Sequence, residues 1–323
     1  MTKAKEHFVV IGARGFIGSW ICRLLIEEGV RVTATDTNPD PRSMSSVLEP
    51  RHLDGMAYRV SDARSPEQVR DLIGDDVTHV IYLAGILRPA SENDPLLSSQ
   101  VSIGGLINVL EAVVRRNSGI GVVYSSTAAV YGPASDYPDG LIDDRSRPRP
   151  LDHYGLHRYA MELTANAYFR QHGVPSLGLR PWVVYGAGRF NGLSAQPSLA
   201  MLAAAAGARF HMEFGGMNVV HHVRDVALAF IRGVRAKLPS SIQANIPGES
   251  VVMDDLITII ERCAPEARGA ITCEKNNLNA PSRLDDPTLE KLIGPLPSPT
   301  EDRVRETIAE YRRLLADGRI SFP

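Results

Sequence analysis

Cysteine is scarce: Cys22, Cys263 and Cys273 are the only three in 323 residues. They sit in ordinary element patterns without metal or redox spacing, so reduced, buried thiols are expected, with no disulfide framework and no metal site. Neither sign of charge dominates. Lys and Arg number 35 against 37 Asp and Glu, a formal net charge of −2, which leaves no basic face for nucleic acid. Uninterrupted apolar runs of membrane-spanning length are missing, and the opening M-T-K-A-K-E-H has no apolar signal core. No internal repeat or low-complexity tract occurs. These absences predict a soluble, cytoplasmic enzyme without nucleic-acid or membrane partners, and a hydrophobic content of 44% is enough for a large core.

What is present begins at the amino-terminal end. A short apolar run, Phe8 to Ile11, meets Gly12, Gly15 and Gly18 just before a one-sided helical pattern of Ile17, Ile21, Leu24 and Leu25. Strand, tight turn and helix in that order let backbone approach a pyrophosphate and point helix N–H groups at it. A second apolar strand, Val30 to Ala34, ends at Asp36, the spacing of a carboxylate that accepts from a ribose 2′-hydroxyl. A 2′-phosphate would be repelled there, so NAD is favoured over NADP, although Arg14 inside the loop offers a contrary charge. The stretch G-A-R-G-F-I-G thus nominates Gly12, Arg14, Gly15, Phe16, Ile17 and Gly18, with Asp36, as cofactor-binding residues.

Further along, strand signals near Ala57–Val60, His79–Leu83, Gly121–Ser125 and Ser176–Arg180 alternate with long helical patterns over Pro95–Arg116 and His153–Gln171. The alternation predicts an α/β fold, a doubly wound parallel sheet of Rossmann type. Ligands in such sheets collect beyond the carboxyl ends of the strands. Asp62 and Ala63, then Leu83, Ala84 and Gly85, then Ser125, Ser126 and Thr127, fall at three of those ends. After Pro181 the pattern loosens, and a smaller C-terminal substrate lobe is expected. We assign residues 1–185 to the dinucleotide-binding domain, with 219–247 returning to it, and residues 186–218 and 248–323 to the lobe.

The motifs G-A-R-G-F-I-G, D-A at Asp62, L-A-G at Leu83, S-S-T-A-A-V-Y-G, Y-G-L-H-R-Y-A-M-E and L-R-P-W-V-V-Y-G together resemble those of the extended short-chain dehydrogenase/reductases, the NAD-dependent epimerase/dehydratase group. The resemblance covers nearly the whole length. It implies Tyr154 as acid/base, Thr127 holding the substrate oxygen, hydride exchange at nicotinamide C4, and a cofactor site that includes Tyr154, Arg158 and Pro181. The apolar stripes of the two long helices suit pairing across a homodimer axis, and core burial explains them equally well. A phenol titrates near ~10, so an acid/base tyrosine needs neighbouring positive charge. A cation ~4 Å away at an effective dielectric near ~20 contributes on the order of 4 kcal/mol.

The chain departs from the pattern in three places. Arginine stands at 158 where the family has lysine, a longer planar fork in place of a compact donor. Glu162, one turn on, offers Arg158 an ordinary i,i+4 surface partner. Val183 and Asn218 replace an asparagine and an arginine that serve nucleotide diphosphates, so a smaller hydroxylated substrate is expected, with Arg189 and Arg283 left for an anionic group. His153 and His157 flank Tyr154, while His221 and His222 are expected to pack. The resulting reading is an NAD-dependent enzyme acting on a secondary alcohol or ketone carbon of a sugar-like or small hydroxylated metabolite. Its alternatives are a redox-neutral enzyme with bound NAD and a non-catalytic dinucleotide sensor.

Overall fold

The computed structural model describes residues 6–116, 119–143, 145–296 and 300–322; residues 1–5 of the opening segment and 297–299 of the late proline-rich stretch lie outside them. The strands are β1 His7–Ile11, β2 Arg31–Asp36, β3 Ala57–Val60, β4 His79–Tyr82, β5 Gly121–Ser125, β6 Leu141–Asp143, β7 Leu177–Arg180, β8 Val183–Tyr185, β9 Phe210–Met212, β10 Met217–His222, β11 Ile242–Asn245, β12 Glu249–Val252, β13 Ile271–Cys273 and β14 Arg283–Asp285. The helices are α1 Phe16–Glu27, α2 Pro50–Asp54, α3 Pro66–Leu72, α4 Ala90–Asn93, α5 Pro95–Ser99, α6 Gly105–Arg116, α7 His153–His172, α8 Gln196–Ala206, α9 Val223–Arg235, α10 Met253–Cys263, α11 Thr288–Ile293 and α12 Thr300–Ala316.

Seven strands form one sheet in the order β11-β7-β5-β4-β1-β2-β3, and every neighbouring pair in it is parallel. Strands covered on both faces read as continuous apolar runs, which is why Phe8–Ile11 carries no polar alternation. Their period-2 geometry still sorts side chains. Phe8, Val10, Ile81 and Val123 enter one core with α1 and α9 residues such as Leu25 and Phe230. Val9, Ile11, Val80 and Tyr124 enter a second core with Leu106, Val109 and Met161. Strand order reverses between β1 and β4, the point at which open α/β sheets hold ligands beyond the carboxyl ends; Gly12 follows β1 and Leu83–Gly85 follow β4.

Beyond β7, apart from α9 and β11, the chain adds smaller sheets and helices. Strands β8, β10 and β12 form a three-stranded sheet, β9 pairs with β13, and β14 pairs with β6. Helix α12 buries Val304, Ile308, Tyr311 and Leu314 and packs on α8.

One helix bears on the expectation that no uninterrupted apolar run reaches membrane-spanning length. The run from Pro95 to Arg116 is a continuous helix of 22 residues holding an 18-residue window of mean hydropathy 1.4, long and apolar enough by length and composition to cross a membrane, and the one such helix among the described residues. Here 44% of its apolar window is buried inside the protein, against α3 and α7. Its middle, Gln100–Gly104, is a π-turn, and the Tyr82 hydroxyl donates to the Val101 carbonyl within it. A wide turn of this kind leaves carbonyls short of intrahelical partners.

Candidate active site

The glycine loop is built for close approach. Gly12 has φ +86°, and a Cβ on it would lie 2.8 Å from the Ala84 nitrogen; one on Gly18 would lie 2.8 Å from the Ala13 Cα. Backbone N–H groups of Gly12 and Ala13 donate to the Thr35 carbonyl, which fastens the loop to β2. Asp36 ends β2 with its carboxylate accepting the Arg14 N–H at 3.3 Å, so it faces the loop. The Arg14 side chain lies on the Asp40 and Tyr58 side of this strand end, where its charge bears on both groups.

Asp62 and Ala63 follow β3, at the sheet edge. The Asp62 carboxylate is forked by Arg64, with Nε to Oδ1 at 3.0 Å and Nη2 to Oδ2 at 2.6 Å. That guanidinium holds its pKa below the usual carboxylate range. An open concavity of about 520 Å³ lies there, lined by Asp62, Arg64, Ser65, Gln100, Gly104 and Asn108 among others. Asn108 donates to the Ala63 carbonyl at 2.8 Å, tying α6 to the β3 end.

On the opposite side of β1, the β4 and β5 ends meet the start of α7. Asp152 caps α7 by accepting from Gly155 N at 2.7 Å, and Glu92 accepts from the N–H groups of His153 and Tyr154 at 3.2 and 3.1 Å. Partial desolvation opposes the Glu92 charge, but these donors hold its pKa below the usual range. With both carboxylates at the helix start, Tyr154 is fixed in the first turn. Its ring lies under two guanidinium groups, Arg158 at 5.6 Å and Arg88 at 5.9 Å. Arg88 also donates to Asp152 at 2.8 Å.

Arg158 is buried, 2% exposed. Its Nη1 donates to the Ser125 carbonyl at 2.7 Å and lies 3.5 Å from the Ala84 carbonyl, so the fork is moored where β4 and β5 end. A Cβ on Gly85 would collide with this guanidinium. The expected Arg158–Glu162 surface pair does not form. Glu162 is buried at 1% exposure and takes two hydrogen bonds from Arg180, Nε to Oε1 at 2.7 Å and Nη2 to Oε2 at 2.6 Å, plus the Ser126 hydroxyl at 2.6 Å. Both residues face the sheet from α7, Arg158 reaching the ends of β4 and β5 and Glu162 reaching Ser126 and Arg180 of β7. Arg180 goes on to the Tyr131 hydroxyl at 2.6 Å, and Asn245 links that hydroxyl to Asp286 of the lobe.

Thr127 follows Ser126 at the β5 end, 7% exposed, its Oγ1 accepting only the Ala129 N–H at 3.2 Å within the loop. The hydroxyl proton is therefore free to be donated. Pro181 closes the same corner, its carbonyl accepting from Ala128 N at 3.0 Å. Thr127, Tyr154 and Arg158 thus stand around one crevice with Gly85. His157 instead bonds Ser98 of α5 at 2.9 Å. His221 and His222 are buried, and burial pushes them down to about 4 and about 3. His221 faces the Pro247 carbonyl and His222 caps α9, both packing roles. Among the described residues no group of three or more His, Cys, Asp or Glu is arranged to hold a metal ion.

Two features escaped the sequence reading: Arg88 over Tyr154, and the Glu162–Arg180 pair. The i,i+4 spacing pointed Glu162 at the wrong arginine, and only the adjacency of β7 to β5 supplies the right one.

Known proteins resemble this chain in sequence and in fold. The family model "NAD dependent epimerase/dehydratase family" matches residues 8–245. UDP-glucuronate 4-epimerase 1 of Arabidopsis thaliana is 31% identical over 186 residues, 55% of this chain and 42% of that protein. CDP-paratose 2-epimerase of Salmonella typhi is 24% identical, over 56% of this chain and 58% of that protein. The chain spans about half the length of the curated relatives it matches. Among solved structures, L-threonine dehydrogenase of Clostridium difficile superposes with a TM-score of 0.82 at 19% identity, covering 99% of this chain and 100% of that one. UDP-N-acetylglucosamine 4-epimerase of Methanobrevibacter ruminantium M1 gives 0.81 at 22% identity, covering 95% and 98%.

Proposed function

Since the chain belongs to the NAD-dependent epimerase/dehydratase family, we propose that it is an NAD-dependent enzyme that oxidises or reduces a secondary alcohol or ketone carbon of a sugar-like or small hydroxylated metabolite. The loop of Gly12, Gly15 and Gly18 fits the dinucleotide, because a Cβ on Gly12 would collide with the Ala84 backbone and one on Gly18 with the backbone of Gly12 and Ala13, so only glycine permits the tight turn and close helix packing that such a loop needs beneath a pyrophosphate. Asp36 fits a ribose 2′-hydroxyl. When bound, NAD supplies a hydride acceptor or donor. The protein supplies the proton chemistry: Thr127 donates a hydrogen bond to the substrate oxygen, and Tyr154 takes or returns that oxygen's proton. Arg158 keeps positive charge beside the phenol and is spent on carbonyls, not on a carboxylate.

The observation that carries the reading is the stack of the Arg158 guanidinium against Tyr154, 5.6 Å away, with Glu162 turned elsewhere. In our division, 1–185 with 219–247 holds the cofactor and 186–218 with 248–323 closes over the substrate. Val183 is buried in β8, and the Asn218 amide is tied to the Gly215 carbonyl at 3.0 Å, which supports a substrate without a nucleotide diphosphate. The names of the curated relatives favour nucleotide sugars, so both classes belong in the assay. We also propose a cytoplasmic homodimer pairing through α7, whose Leu156 and Leu163 are about half exposed at i and i+7.

The test is NADH absorbance with sugars, sugar acids, polyols, L-threonine and UDP-sugars, with product stereochemistry followed in parallel. Tyr154→Phe is expected to lower turnover by about 10²–10⁴-fold, with NAD affinity little changed. Turnover by Tyr154→Phe equal to wild type would refute the assignment. Bound NAD with neither NADH nor epimer formed across the panel would move the reading to redox-neutral chemistry or a sensor.

A further inference from the structure

The loop after β8, G-A-G-R-F at 186–190, carries an arginine, Arg189, that makes no ion pair among the described residues. The loop is pinned from two sides: the Trp20 indole of α1 donates to the Ala187 carbonyl at 2.9 Å, and the Tyr311 hydroxyl of α12 donates to the Gly186 carbonyl at 3.0 Å. Gly188, at φ +97°, lets the loop lie against Phe16 and Val47, where a Cβ would come within 2.5 Å of the Val47 side chain. The Arg189 guanidinium is thereby set 5.6 Å over the Phe16 ring, above the first residue of α1.

Its hydrogen bonding is incomplete. Nη2 donates to Ser194 Oγ at 2.7 Å, but Nε is enclosed and has no partner. The groups acting on its charge are two phenols, Tyr154 and Tyr311, with no carboxylate among them, and burial pushes its pKa below the usual guanidinium value. A desolvated cation with an orphan donor is costly unless an oxyanion completes it. Directly beneath, the first α-helical backbone bond of α1 runs from Ser19 N to Gly15 O, which leaves the N–H groups of its opening turn directed at the same space.

We propose that Arg189 is a clamp, borne on the loop after β8, for the pyrophosphate of the bound dinucleotide: the glycine loop and α1 hold it from below, and the Arg189 fork closes on it from above. The inference rests on the NAD reading. It assigns the loop after β8 a share of cofactor affinity that the glycine motif alone does not provide.

Calorimetric titration of wild type, Arg189→Gln and Arg189→Lys with NAD, ADP-ribose and adenosine tests this, because the first two ligands carry a pyrophosphate and the third does not. Arg189→Gln is expected to weaken NAD and ADP-ribose by about tenfold or more, the range of one lost charge-assisted bond, and to leave adenosine unchanged. Arg189→Lys should recover part of the loss, and the salt dependence of NAD binding should flatten in Arg189→Gln. Unchanged NAD and ADP-ribose affinities in a variant that melts like wild type would overturn the clamp. If that result came with a higher KM for an acidic substrate, the oxyanion would be the substrate's. Wild type that binds adenosine but neither pyrophosphate ligand would remove the NAD reading itself, and the clamp with it.

Discussion

Arg158 stands at the position where a compact lysine is expected, with a broader planar tip, and the breadth has to go somewhere. It goes against the Cα of Gly85, where any Cβ would collide with the guanidinium. Residues 85 and 158 are therefore one unit: a bulky cation needs a bare backbone opposite. Gly85→Ala should destabilise the wild-type protein by about 1–3 kcal/mol through overpacking. In an Arg158→Lys background the same alanine should cost much less, since a single ammonium replaces the fork. A double-mutant cycle by urea unfolding measures the coupling, and additive effects would mean that the collision is relieved elsewhere. Gly12 argues the same way on the other side of the crevice, where its positive φ and its approach to Ala84 both require glycine.

At the scale of elements, α7 is the hinge between chemistry and scaffold. Its first turn is held by Asp152 and Glu92, and its third turn by the Glu162–Arg180 pair. Burial works against the Arg180 charge, but the adjoining Glu162 carboxylate raises its pKa above the ordinary guanidinium value. Removing one partner of a buried pair leaves the other uncompensated, at a cost of about 3–5 kcal/mol. Glu162→Gln is expected to lose stability in that range. It should also lower turnover, because Ser126, next to Thr127, bonds the same carboxylate. A urea midpoint within experimental error of wild type would show that the pair contributes nothing net. Replacement of both partners by apolar residues should be milder than either single change.

For the whole molecule, the join between β8, β10 and α9 is expected to weaken in acid. His221 and His222 are buried neutral, and burial holds their folded pKa values near about 4 and about 3, against 6.5 for an exposed histidine. The unfolded chain takes up protons below pH 6.5 and the folded one does not until far lower, so stability falls as pH drops through that window. By pH 5 each histidine should have removed roughly 2 kcal/mol. Urea unfolding at pH 7.5, 6 and 5 should show the decline, and His221→Gln should flatten it. A profile level down to pH 5 would mean that water reaches these rings. The sequence by itself determined the alternation of strands and helices, the glycine loop, the acidic end of β2 and the helical pairing of Tyr154 with Arg158, because each depends on residues near one another along the chain. Only the tertiary structure decided which arginine Glu162 meets, that Arg88 and Gly85 belong to the tyrosine's surroundings, and that Arg189 hangs over α1. Those contacts join segments that strand order makes neighbours, and strand order is a property of the packed sheet, which no local spacing encodes.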